Sequence, residues 1–272
     1  MRRNMRTVVL LAVCLWSLNA VVAQQTKDVY QGEAAEQFLL KAELTALRDL
    51  PVGVTAPQRA TLSLDGVTQL AVFKTIDEAK SGFTQLDRGK AEIDFQDSWR
   101  TEIPAYEVDK IIGLGMVPAT VERILKGKRG SLQFWVESMM PEAERVKKKV
   151  SAPDVSAWNE RMFKVRLFDN LIYNTDRHLN NILVTKDFDL RLIDHSRSFR
   201  PFETLKTPGD LTRFSRSLLE GLQKLEQNDL TARTGNYLTT AQIRGLLKRR
   251  DAILELSKKL IAQKGEAAVL YP

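Results

Sequence analysis

Between Phe168 and Phe199 the chain reads FDNLIYNTDRHLNNILVTKDFDLRLIDHSRSF, and this stretch restricts the possible folds more than any other. An apolar helical run ends in a polar loop. Two short apolar runs, 182–184 and 190–193, then flank Lys186 and Asp187, and a second acidic loop opens at Asp194. Short apolar runs around turn residues form a hairpin. A hairpin returns the chain to its start, so the loop holding Asp176 and Asn181 and the loop opening at Asp194 meet on one side of a cleft. Two carboxylates and a carboxamide form an oxygen-only donor set, suited to a hard cation such as Mg²⁺. Phosphoryl transfer needs little more: one carboxylate to orient an attacking hydroxyl, and oxygen ligands that hold Mg²⁺ across nucleotide phosphates. Asp176 beside Arg177 reads alone as a turn with an ion pair. The spacing of Asp176 to Asn181 matches the base and metal-binding asparagine of the D-x-x-x-x-N pattern, and Asp194 after an apolar strand completes it.

The rest of the chain divides by periodicity. Phe38, Leu39, Ala42, Leu44 and Leu47 fall near helical spacing, so a first helix is expected over 34–47. Two short runs, 60–64 and 69–74, surround Asp65-Gly66, a strong hairpin signal that delivers Lys74 at a strand end. A helix is expected over 98–114, closed by Gly113 and Gly115, and a second strand pair over 119–125 and 131–137. Helices are expected over 155–173, 210–225 and 241–264, with Leu211, Phe214, Leu218, Leu222 and Leu225 on one stripe. Charge and proline interrupt the pattern near 141–153. The organisation expected is therefore a segment 24–140 with a small sheet and one helix, and a mainly helical segment 141–272.

The first residues differ in kind. Arg2, Arg3 and Arg6 precede an apolar stretch from Val8 to Leu18, and Val21-Val22-Ala23 leads into Gln24-Gln25. This reads as a Sec-type signal peptide, 1–23, cleaved after Ala23, with an uncleaved anchor as the alternative because the apolar run is short for a span. Export to the periplasm or outside the cell is expected. The single cysteine, Cys14, lies in this leader, so no disulfide framework is expected. Of the formal net charge of +7, three charges leave with the leader arginines, and the remainder is too mild to argue for nucleic acid. Basic runs at 126–129, 145–149 and 248–250 offer peripheral membrane contact, with solvated faces as the plainer reading. The two histidines, His178 and His195, adjoin the acidic loops and are read as buttresses. Without a second nitrogen at H-E-x-x-H spacing or a mature cysteine, zinc is not expected.

Asp176-Arg177-His178-Leu179-Asn180-Asn181 resembles the D-R-H-x-x-N catalytic loop of phosphatidylinositol 3- and 4-kinases and their bacterial relatives, and Ile193-Asp194-His195 resembles their metal-binding loop. Ala71-Val72-Phe73-Lys74 is similar to the strand that presents the nucleotide-binding lysine. The segments at 101–106 and 115–120 look like E-x-A-A-Y and V-P-x-T of type II phosphatidylinositol 4-kinases and HipA-like proteins. The resemblance implies an α+β, two-lobed protein-kinase-like fold that works on Mg-ATP, with Mn²⁺ as a substitute cation, and a monomer is expected. It assigns catalysis to Asp176, Arg177 and His178, metal binding to Asn181 and Asp194, and phosphate contact to Lys74 held by Glu102. Phe134, Trp135, Val136 and Glu137 become the hinge beside the adenine. The acceptor expected is a hydroxyl on a protein or lipid-like molecule. Aminoglycoside-type kinases carry H-G-D instead. The competing reading is a catalytically silent kinase-like module that binds nucleotide or a partner protein.

Overall fold

The structure, a computed structural model, describes residues 31–51, 56–85 and 91–272; the leader, its cleavage point and Cys14 lie outside them. The first part is built on a five-stranded antiparallel sheet. Its strands are β1 (Glu43–Asp49), β2 (Gln58–Leu64), β3 (Val67–Lys74), β6 (Thr120–Leu125) and β7 (Lys128–Phe134), in the order β1-β2-β3-β7-β6. Asp65 and Gly66 have φ of 50° and 78°. Two left-handed residues in succession make the tight turn whose twist matches its flanking strands. Lys126 and Gly127, with φ of 48° and 78°, repeat the device between β6 and β7. Helices α1 (Glu33–Lys41) and α2 (Glu102–Ile112) pack on this sheet, and Leu39, Tyr106, Val108, Phe73 and Leu132 belong to one buried cluster. Gly113, at φ 69°, ends α2 in the left-handed conformation, a common helix stop.

Two expectations are corrected here. The helix expected over 34–47 stops at Lys41, where Ala42 turns extended, and 43–49 becomes the edge strand β1. Its register against β2 slips between Leu44 and Ala46. Such a bulge adds one residue to the alternation, so Leu44 and Leu47, three apart, both pack on the core and imitate helical spacing. The second correction is an addition. Residues assigned no structure from the sequence form a separate hairpin, β4 (Asp77–Gln85) and β5 (Ala91–Ser98). Few apolar residues mark it, and a register shift between Lys80 and Phe83 breaks its alternation.

The chain leaves β7 through 135–139 and enters a mainly helical part. Trp135 donates its backbone N–H to Leu70 (3.0 Å), and Met139 donates to Val184 (2.8 Å), so the crossing is anchored at both ends. Beyond it lie β8 (Met140–Pro141), α3 (Glu142–Lys147), α4 (Val155–Leu171), β9 (Ile182–Val184) and β10 (Leu190–Leu192). The order β10-β9-β8 makes a small antiparallel sheet. Asp154 caps α4 by accepting from the Ala157 N–H at 3.0 Å. After β11 (Phe214–Ser215) come α5 (Arg216–Gln223), α6 (Gln227–Thr234), α7 (Thr240–Lys264), α8 (Glu266–Val269) and β12 (Leu270–Tyr271). The helix expected over 210–225 is helical only in α5, yet the predicted stripe is buried throughout. Arg249 of α7 is fully buried and donates to the carbonyls of Leu171 (2.8 Å), Arg200 (3.0 Å) and Phe202. It thereby satisfies the C-terminal end of α4 and anchors the segment after Asp194.

Candidate active site

Lys74 ends β3 and pairs with Ser131 of β7. The neighbouring Gly130 makes that closeness possible: a Cβ there would lie 2.1 Å from the Lys74 carbonyl oxygen. The Lys74 ammonium sits 2.6 Å from Glu102 Oε1 and 2.7 Å from Asp194 Oδ1. Burial alone would lower the pKa of this lysine, but the Asp194 and Glu102 carboxylates outweigh it and raise the value. Glu102 opens α2 and is 2% exposed. Burial works to raise its pKa, and Lys74 and the groups of His195 overcome that and hold it well below the usual carboxylate range. Glu102 Oε2 accepts the His195 backbone N–H at 3.1 Å, so one carboxylate fastens both the lysine and the loop after Asp194.

Asp194 has φ 61°, a left-handed conformation uncommon outside glycine, asparagine and aspartate. Its carboxylate also accepts the Ser196 hydroxyl at 3.2 Å. Against the opposing effect of burial, Lys74 lowers its pKa. His195 is fully buried, with its ring edge-on to Phe168 at 5.9 Å. Burial lowers its pKa, so the imidazole is neutral and packs as a buttress. His178, by contrast, is exposed at the start of the turn 179–181.

The loop from Thr175 to Asn181 is tied to the Asp194 loop by backbone bonds. Thr175 donates to the Arg197 carbonyl (3.2 Å), and Ile193 donates to the Asn181 carbonyl (3.1 Å). Asp176, whose side chain is 43% exposed, opens toward solvent, and its backbone N–H is held by Asn174 Oδ1 at 3.0 Å. Asn181 is buried and donates its amide to the Asp176 carbonyl at 3.4 Å, which leaves its amide oxygen as the atom suited to a cation. Arg177 faces inward. It pairs with Asp169 at 3.1 Å and donates to the carbonyls of Asn181 (2.9 Å) and Ile193 (2.7 Å). That geometry makes Arg177, expected in the catalytic set, a strut between the two loops.

Phe134 and Val136 are buried, Trp135 is half-buried and Glu137 is exposed; together they form the crossing between the two parts of the molecule. Sequence reading missed two residues of the site. Asp97, near the end of β5, shares the Ser196 hydroxyl with Asp194, and its buried Oδ1 has no hydrogen-bond partner. Burial pushes its pKa up. Arg197 stands 3.5 Å from Asp176 Oδ2. Neither carries a local sequence signal, because both depend on where the unrecognised hairpin docks.

The donors present fit a divalent cation. Asn181 and Asp194 offer neutral and charged oxygen, and Asp97 is near enough to Asp194 for the two charges to be felt by each other. No group of three or more His, Cys, Asp or Glu side chains converges to hold a metal among the described residues. A set with few protein carboxylates is what Mg²⁺ uses when substrate phosphates complete its shell.

No protein-family model matches the chain, and no curated protein matches its sequence. Solved structures do. A hydra Fam20 protein solved with sugar superposes with a TM-score of 0.65 at 15% identity, covering 87% of this chain and 90% of its own. The Golgi casein kinase follows at 0.61 and 14%, covering 91% and 79%. The Helicobacter pylori proinflammatory kinase CtkA gives 0.54 and 10%, covering 82% and 97%. At such identities the likeness concerns architecture, and on that ground the chain has a protein-kinase-like fold.

Proposed function

We propose that this protein is an exported Mg·ATP-dependent phosphotransferase that moves the γ-phosphate to a hydroxyl of a protein or lipid-like acceptor. The observation that carries the reading is the Lys74 ammonium bridging Glu102 and Asp194, at 2.6 and 2.7 Å. Three residues from a strand end, a helix start and a distant loop meet at one point inside a kinase-like fold. Lys74 contacts the nucleotide phosphates while Glu102 holds it in place. Asn181 and Asp194 hold the cation, which when bound neutralises charge on the transferring phosphoryl group. Asp176 orients the acceptor hydroxyl and takes its proton, and 134–137 lines the adenine side.

The acceptor class rests on likeness. The order Asp176-Arg177-His178 resembles the loop of phosphatidylinositol kinases, and the fold neighbours include a casein kinase. Membrane contact gains little support from the basic runs, because Arg129 pairs with Glu122, Arg145 with Glu142 and Lys148 with Glu144. One observation favours the silent-module reading: the turn at Asp65-Gly66 is a tight two-residue hairpin, with no glycine-rich cover for phosphates.

The deciding experiment offers Mg-ATP to purified protein with protein and lipid acceptors, and compares wild type with Asp194→Ala and Asp176→Asn. Transfer is expected in the wild type alone, and Asp176→Asn lowers turnover by about 10² to 10⁴ while nucleotide binding persists. An ATP-dependent thermal shift without turnover on any acceptor supports the silent module. No shift at all removes the phosphotransferase and the nucleotide-binding module, and leaves a module that binds a partner protein.

A further inference from the structure

We infer that Arg197 is a positioning residue for Asp176, and that the β4–β5 hairpin holds it there, which makes the hairpin a working part of the phosphotransfer site. The inference rests on the phosphotransferase reading. Asp176 sits on a loop with a half-exposed side chain, and a carboxylate that must orient a hydroxyl gains from a fixed rotamer. Arg197 supplies that restraint twice. Its carbonyl accepts both the N–H and the hydroxyl of Thr175 (3.2 and 3.1 Å), and its guanidinium stands 3.5 Å from Asp176 Oδ2.

An ion pair at that distance between two mobile side chains would count for little. Arg197 is not mobile. Its side chain is 17% exposed, its Nη2 donates to Glu92 Oε1 at 2.6 Å, and its guanidinium lies 5.0 Å from the centre of the Phe95 ring. Both Glu92 and Phe95 belong to β5. Glu92 is itself shared, because its second oxygen accepts from Arg200 at 2.5 Å, and Arg200 also donates to the Asp94 carbonyl. One carboxylate divided between two guanidinium groups leaves positive charge on Arg197 facing Asp176. The hairpin therefore fixes the arginine before any acceptor arrives, and the ordering cost does not fall on the Asp176 contact.

The test uses the full chain with Mg-ATP and water as acceptor, following ADP release, nucleotide affinity and thermal midpoint. Arg197→Gln is expected to lower kcat by about 10²-fold and Glu92→Gln by a smaller factor, with ATP affinity unchanged. The double variant should be no slower than Arg197→Gln, since both remove one linkage. Arg197→Lys keeps charge without the fork and serves if the glutamine variant fails to fold; it too should lose kcat alone. Phe83→Ser, at a position 73% exposed on the same hairpin, should leave kcat unchanged. Unaltered kcat in the Arg197 variants, a parallel loss of ATP affinity, or multiplicative effects in the double variant would overturn the inference. Absent turnover in the wild type with water and with the protein and lipid acceptors alike overturns the phosphotransferase reading and this role together.

Discussion

Lys74 is one cation held by two carboxylates, Glu102 buried and Asp194 partly exposed, and that imbalance gives the residue a measurable signature. Removing it by Lys74→Met leaves Glu102 buried and the partly exposed Asp194 beside it without their counter-charge, a change expected to cost about 3 kcal/mol at neutral pH, the low end for a broken buried pair because solvent screens Asp194. The pH dependence should invert with it. In the wild type the Glu102 and Asp194 pKa values are lowered, so their stabilisation is present above the ordinary carboxylate range and fades as pH falls through the lowered values. In the variant the Lys74 charge no longer opposes burial: the His195 groups still hold Glu102 down, while burial and the neighbouring Glu102 charge push Asp194 up. The folded variant then takes up protons before its unfolded chain does, and it regains stability as pH falls from 7.5 toward 5. Denaturant midpoints of the two proteins should therefore converge on acidification, and a constant gap would contradict the assignment. Lys74, Glu102, Asn181 and Asp194 were legible because each follows or opens an element whose periodicity is visible. Asp97 and Arg197 were not, since a side chain's role is invisible when the element facing it goes unrecognised.

Elements with a clean period were read to within a few residues: the Asp65-Gly66 hairpin, the β6–β7 pair, α4 and α7. Those with mixed signals were not. A bulge disguised β1 as helix, and the polar composition of β4 and β5 hid a hairpin that faces the site. Packing between elements was equally hidden, and Gly221 of α5 shows why. A Cβ at that position would lie 2.1 Å from the carbonyl oxygen of Ile112, the last residue of α2. No periodicity announces a close approach between two helices so far apart in the chain. Gly221→Ala is expected to destabilise the fold by about 1–3 kcal/mol, lowering the thermal midpoint by roughly 2–4 °C for each kcal/mol in a chain of this size. Because α2 carries Glu102 at its other end, the same variant should weaken nucleotide binding. Gly209→Ala is the control: nothing lies within 4 Å of its Cβ position and its φ is ordinary, so its melting curve should match the wild type.

Across the whole molecule, the sheet contributes Lys74, α2 contributes Glu102 and the helical part contributes Asn181 and Asp194, so ligands are expected to engage both parts at once. In the structure Lys74 holds one oxygen, Oδ1, of the Asp194 carboxylate that a cation would share. A divalent cation arriving alone meets the Lys74 ammonium, and a triphosphate arriving alone meets Asp194. With both present, the phosphates would compete with Asp194 for Lys74 and leave more of the Asp194 carboxylate to the metal, so each should strengthen the other. Linkage makes that coupling reciprocal, at about 1–3 kcal/mol for typical paired sites. Saturation at about 100 times Kd adds about 2.7 kcal/mol, or roughly 5–10 °C in midpoint. The two ligands also combine in solution, so the comparison that isolates the protein's share is with Asp194→Asn. That substitution removes the negative charge facing the phosphates and the charged ligand for the cation. ATP without metal should then stabilise the variant more than it stabilises the wild type, and added Mg²⁺ should enlarge the shift in the wild type only. Equal Mg²⁺ dependence in both proteins would mean that the two loops do not share one cation.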